Sequence, residues 1–143
     1  VRIATPPGYA PEPATLASAQ REASQAGGDI ALLCDPFEAA AGADAVYTDV
    51  WASMGQEDEA AARKLAFAGY QVNRALLAVA APHAIVLHPL PAHRGEEITD
   101  EVIDGPHARV FAQAENRLHI QKAILRMALT GRGAERRETA LTA

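Results

Sequence analysis

The stretch His88-Pro89-Leu90-Pro91-Ala92-His93-Arg94-Gly95 combines two imidazoles and a guanidinium with two prolines at alternate positions. The prolines remove two backbone donors and push His88 and Leu90 towards extended geometry, because the residue before a proline is barred from the helical region. A rigid, carbonyl-rich loop is expected. It follows the apolar run Ala84-Ile85-Val86-Leu87, which reads as a buried strand, so the loop falls where open α/β sheets place their ligands, at a strand's carboxyl end. A proline-stiffened strand-to-helix connection with solvated polar tips would be the bland reading of the same residues.

Two further constellations could carry chemistry. In Asp49-Val50-Trp51-Ala52-Ser53-Met54-Gly55 a carboxylate ends a strand, and a hydroxyl, backbone amides and a glycine precede a helix start. An amino acid's ammonium and carboxylate need an anion beside donors at a positive dipole, and this stretch supplies both. Gly55 beside Met54 suggests a lid. The alternative is that Asp49 caps a turn and Trp51 plugs the core. In Glu115-Asn116-Arg117 the guanidinium can present five donors to an oxyanion, or simply join a surface ion pair.

The elements that must position these groups alternate. Val1–Thr5, Asp29–Cys34, Ala45–Thr48, Ala84–Leu87 and Arg109–Phe111 read as strands. Ala14–Ala26, closed by Gly27-Gly28, reads as a helix, and Asp35 caps a short one over Pro36–Ala41 with proline at its first position. Helical spacing follows from Glu57, over Asn73–Ala81, in one turn at Asp100–Asp104, and over Ala114–Leu129. This order predicts an α/β fold, a doubly wound parallel sheet with helices on both faces in three layers, Rossmann-like. All three constellations then lie after strands, at one sheet edge. Residues 1–130 are expected to form one domain and 131–143 a disordered tail. The chain opens at Val1, directly in a strand, which suggests a piece of a longer protein.

Composition narrows the function. A formal net charge of −5 with no long basic cluster in the predicted domain argues against a nucleic-acid surface. No apolar run reaches the ~20 residues of a membrane span. The single cysteine, Cys34, excludes an internal disulfide and a cysteine zinc site and fits a reducing cytoplasm; its strand position reads as core. No Gly-x-Gly-x-x-Gly loop supports a nucleotide.

Ala4-Thr5-Pro6-Pro7-Gly8-Tyr9, the Asp49–Glu57 stretch, Gly69-Tyr70-Gln71-Val72, the proline loop with Gly95-Glu96-Glu97, and Ala114-Glu115-Asn116-Arg117 together resemble the ornithine carbamoyltransferase family. The likeness runs from Val1 to about Leu129 and implies that family's second, ornithine-binding domain. The family's Ser-x-Arg-Thr phosphate loop is not in this sequence, nor are the first strand and helix of the ornithine domain, so the fold is expected to be incomplete at its N-terminus.

The resemblance implies transfer of a carbamoyl group from carbamoyl phosphate to the δ-amine of L-ornithine, giving citrulline and phosphate. It needs no cofactor or metal, and it implies a cytoplasmic homotrimer for the whole protein. By the same resemblance Asp49 holds the substrate α-ammonium, while Ser53 and the Met54 amide receive its carboxylate. His88 and Arg117 hydrogen-bond the carbamoyl oxygen, and the Leu90 carbonyl orients the δ-amine. Pro89 stands where the family usually has cysteine; His-Pro-Leu-Pro is the form of the related aspartate carbamoyltransferases. Aspartate as acceptor, or a non-catalytic amino-acid-binding or assembly module, are the competing readings. Without the phosphate loop the chain alone is expected to be inactive. The Leu90–Pro91 bond is expected to be cis, as the family's loop turns that way and the Leu90 carbonyl must face substrate close to His88.

Overall fold

The computed structural model describes residues 1–52, 55 and 57–130. The chain divides into two compact units, Val1–Val110 and Phe111–Ala143.

In the first unit, β1 (Arg2–Ala4) ends at the proline pair, where Tyr9 N–H closes a turn on the Pro6 carbonyl at 3.1 Å. Helix α1 (Pro13–Gln25) starts under the Glu12 carboxylate, which accepts from Ala14 and Thr15 N–H at 2.9 and 2.6 Å. It stops at Gly27, whose φ of 76° is left-handed, the conformation that makes glycine the usual residue there. Strand β2 (Ala31–Leu33) leads to α2 (Pro36–Ala40), capped by Asp35 Oδ1 on the N–H of Phe37 at 2.8 Å. Strand β3 (Ala45–Tyr47) follows.

A 3₁₀ turn (Glu57–Glu59) then runs into α3 (Ala60–Ala66), and a second (Ala68–Tyr70) precedes α4 (Arg74–Leu77), capped by Asn73. Strand β4 (Ile85–Leu87), α5 (Asp100–Ile103) and α6 (Val110–Thr130) complete the order.

The α/β class with parallel strands holds: Ala45, Val46 and Tyr47 of β3 align with Ile85, Val86 and Leu87 of β4, and Arg2–Ala4 with Ala31–Leu33, both parallel. Two local expectations fail. The helix predicted to reach Ala81 ends at Leu77, because the Val79 carbonyl accepts Gly42 N–H at 2.8 Å and Ala81 N–H turns to Ala43 at 3.0 Å. Arg109–Phe111 is not a strand: Val86 bonds His107 and Arg109 at 2.9 Å each, giving one bridge at Ala108, and the chain then coils into α6 at Val110. Among the described residues the parallel strands of this Rossmann-like α/β fold are hydrogen-bonded as two two-stranded ladders, β1–β2 and β3–β4.

The core gathers Ala40, Val72, Leu76, Val86, Ile98, Val102, Ile103 and Val110, with Leu90 and Ala92 packed against it. Burial of each large aliphatic side chain is worth about 1.5–3 kcal/mol. Val86, with no exposed surface, anchors β4, while Leu90 and Ala92 anchor the loop that leaves it. Cys34, expected in the core, is exposed; its carbonyl accepts the Tyr70 hydroxyl.

In the second unit α6 carries Leu118, Ile120, Ile124, Leu125 and Met127, all at least half exposed. No described helix is long and apolar enough to cross a membrane. Residues 131–143, expected to be a disordered tail, lie outside the described residues, as do Ser53 and Met54.

Candidate functional site

The parallel β3–β4 register sets the site's first two groups at one edge. Tyr47 stands opposite Leu87, so Asp49 and the loop from His88 both leave the carboxyl ends of neighbouring strands. Thr48 N–H extends the ladder to the Leu87 carbonyl at 3.2 Å.

His88 is fully buried. Its Nδ1 accepts the Leu90 N–H at 2.9 Å, so the ring proton belongs on Nε2, which donates to Glu97 Oε1 at 3.0 Å. Leu90 takes a left-handed φ of 58°, uncommon for a side-chain-bearing residue, and this turn brings its N–H back to the imidazole. The Leu90–Pro91 bond is cis, as expected.

Glu97 is the residue that sequence reasoning left without a role. It is fully buried, and its Oε1 accepts the His93 N–H at 2.6 Å as well as the His88 proton. Both ends of the proline loop therefore converge on one carboxylate oxygen; Oε2 has no hydrogen-bond partner. The available signal was an acid directly preceding Ile98, itself fully buried, nine positions after His88.

Outer contacts hold the loop's far side. Gln71 Nε2 donates to the Gly95 and Glu96 carbonyls at 2.9 and 2.8 Å. Arg94 reaches Asp100 at 2.7 Å and both oxygens of Asp104 at 2.6 and 2.9 Å. These carboxylates raise the Arg94 pKa, and Arg94 in turn holds the Asp104 carboxyl below its ordinary value. Lys64, at 2.8 Å, does the same to Glu96. His93, Glu96 and Glu97 offer potential metal-ligand atoms within 4.8 Å of one another, but the two acids already serve Lys64 and the His88 loop.

Asp49 is exposed, accepts Val50 N–H at 2.8 Å, and lines a cavity of about 370 Å³. Trp51 is half-buried there and stacks on Phe67 at 6.1 Å, with Tyr9 edge-on to Phe67 at 4.9 Å. Arg63 stands 5.3 Å over the Tyr9 ring and is paired with Glu59 at 2.9 Å. The carboxylate thus faces a pocket with one aromatic wall, able to take an organic ammonium. Arg117 lies within α6, in the second unit, and is exposed; α6 starts earlier than predicted, so Glu115-Asn116-Arg117 is not at its beginning.

Residues 1–128 match the family model of the aspartate/ornithine carbamoyltransferase Asp/Orn binding domain. The chain is 56% identical over 132 residues to the ornithine carbamoyltransferase of Gloeobacter violaceus, covering 92% of this chain and 42% of that one. It is 59% identical over 125 residues to that of Symbiobacterium thermophilum, covering 87% and 40%. Among solved structures, ornithine carbamoyltransferase from Pyrococcus furiosus superposes with a TM-score of 0.82 at 53% identity, over 87% of this chain and 40% of that one. The anabolic enzyme from Campylobacter jejuni gives 0.84 at 36%, over 92% and 44%. The chain therefore spans about 40% of the length of the relatives it matches, and it belongs to the aspartate/ornithine carbamoyltransferase family, to which it contributes the Asp/Orn binding domain.

Proposed function

We propose that this chain is the ornithine-binding half of an ornithine carbamoyltransferase, which passes the carbamoyl group of carbamoyl phosphate to the δ-amine of L-ornithine and releases citrulline and phosphate. The observation that carries the reading is the pairing of Asp49 and the His88 loop at the carboxyl ends of two hydrogen-bonded parallel strands. The names of the most similar relatives support ornithine as the acceptor.

In this proposal Asp49 takes the α-ammonium, and Ser53 with the Met54 amide takes the α-carboxylate. The Leu90 carbonyl accepts from the δ-amine and aims its lone pair. His88 and Arg117 give donors to the carbamoyl oxygen as it gains charge; for His88 this means sharing the Nε2 proton now directed at Glu97. A side-chain amine with a pKa of about 10.4 is neutral in roughly one molecule in a thousand at pH 7, so the site must select or deprotonate it. Pro89 supplies no thiol beside that nitrogen, which leaves phosphate, itself a substrate group, to take the proton while the Leu90 carbonyl only orients the amine by a hydrogen bond. A cytoplasmic homotrimer belongs to the same proposal, as does the inactivity of this chain without a carbamoyl phosphate site.

Grafting residues 1–128 in place of the matched segment of the Gloeobacter violaceus relative tests the reading. Citrulline formation from L-ornithine is expected, with no carbamoyl transfer to L-aspartate. Activity with aspartate alone would establish the competing acceptor, which the His88-Pro89-Leu90-Pro91 sequence favours. A folded chimera active with neither would favour a binding module.

A further inference from the structure

A second cavity of the first unit, about 450 Å³ in volume, shares no lining residue with the one beside Asp49. Arg74 and Leu77 line it from α4, Glu101 and Val102 from α5, and Pro106 and His107 from the turn that follows α5. Gly105 makes that turn possible, since a Cβ there would stand 2.6 Å from the Glu101 carbonyl oxygen. His107 is fixed from two sides: its carbonyl accepts Val86 N–H at 2.9 Å, and its Nδ1 meets the Ala84 carbonyl at 2.7 Å. A carbonyl only accepts, so the ring proton belongs on Nδ1, and Nε2 of the neutral ring is an acceptor. Ala84 precedes β4, whose other end delivers His88. The cavity therefore adjoins the amino end of this strand, and the reaction edge lies at its carboxyl end.

The floor is apolar, because Val102 is buried and Leu77 packs against the core. Arg74 and Glu101 are exposed on different helices, and among the described residues neither side chain has a hydrogen-bond or ion-pair partner. Opposite charges that leave each other free, held over an apolar floor, match a molecule that carries both charges and a hydrocarbon body. We propose that this cavity binds an α-amino acid of zero net charge with an aliphatic side chain. The carboxylate meets the Arg74 guanidinium, the ammonium meets the Glu101 carboxylate and His107 Nε2, and the side chain lies on Leu77, Val102 and Pro106. The volume is in the range of small-molecule sites, roughly 300–1,000 Å³, which are mostly apolar with a few placed polar groups. This inference does not depend on the reaction the first site performs.

L-Leucine is the probe, titrated into the 143-residue chain and followed by the NMR signals of the Leu77 and Val102 methyl groups. Isocaproate, which lacks the ammonium, and isoamylamine, which lacks the carboxylate, are the comparisons. Leucine is expected to shift both methyl groups to saturation and to bind about fivefold or more tighter than either comparison, the scale of one solvent-exposed ionic contact. Arg74→Met should bring leucine down to the affinity of isoamylamine and leave isoamylamine unchanged. Glu101→Gln should bring it down to that of isocaproate and leave isocaproate unchanged. Both positions are exposed, so neither variant should disturb folding. The proposal would be overturned by the absence of saturable shifts at Leu77 and Val102, or by shifts confined to Val50 and Trp51 beside Asp49. Equal binding of the three probes would also overturn it, marking the cavity as an apolar groove without a charge-reading role.

Discussion

Replacing Glu97 with alanine removes the acceptor on which the loop after β4 converges. Two donors, His88 Nε2–H at 3.0 Å in the interior and His93 N–H at 2.6 Å in a part-buried position, then lose this acceptor. The interior donor's loss costs about 1–3 kcal/mol, the part-buried one's about 0.5–1.5 kcal/mol, and the lost buried methylene adds about 0.8 kcal/mol. The sum is about 2–5 kcal/mol, a large part of the roughly 5–15 kcal/mol that holds an ordinary domain folded. Glu97→Gln keeps one oxygen for both donors and exchanges charge-assisted bonds for neutral ones, so it should cost only about 1–2 kcal/mol. Urea unfolding of the chain measures both, as a fall in midpoint at unchanged slope. Nitrogen shifts of the His88 ring provide a second reading: the Nε2–H form in the parent and in Glu97→Gln, a mixture in Glu97→Ala, with faster exchange of the Leu90 amide. An alanine variant within about 0.5 kcal/mol of the parent, with His88 and Leu90 unchanged, would refute the argument that Glu97 fixes the loop.

Asp49→Ala in the chimera should weaken L-ornithine binding by about 1.5–3 kcal/mol, roughly ten- to a hundredfold, while leaving carbamoyl phosphate binding little changed; equal loss of both by calorimetry would make Asp49 structural. The 143-residue chain alone should form no measurable citrulline, because transition-state stabilisation cannot act on a phosphate that is not held, and normal turnover would contradict this. Backbone N–H donors at α1 lower the Glu12 pKa, Lys64 that of Glu96 and Arg94 that of Asp104. Folded values below unfolded ones give stability that is present above the ordinary carboxylate range near pH ~4 and lost as pH falls through the folded values. Arg94→Met should therefore flatten the decline of stability below pH ~4, and added salt should do the same because these groups are exposed; curves that stay parallel would mean that the Arg94–Asp104 pair contributes nothing.

What the sequence determined by itself is what short-range sterics and local hydrogen bonding control. Asp35 before Pro36 specifies α2 because the cap and the proline act within one turn. Gly27 ends α1, and the apolar run before His88 forms β4 and delivers the loop to the carboxyl edge. Asp49 and His88 were legible as neighbours because alternating strands and helices force parallel pairing.

Tertiary structure decided the rest. Val110 and Phe111 have strand-like side chains, but Val110 is buried in the first unit's core and starts α6, so packing overrode local preference. The helix after Asn73 stops short because Gly42 and Ala43, distant in sequence, take up the following backbone. Cys34 lies on the exposed surface although the run that precedes it, Ala31-Leu32-Leu33, is apolar. Glu97 could not be singled out from Glu96 by composition: the two acids are adjacent, yet one reaches Lys64 at the surface and the other closes on His88 in the interior. Their difference is direction, and direction is fixed by the surrounding fold, here by Ile98 seated in the core beside Glu97 and by β4 holding His88 above it.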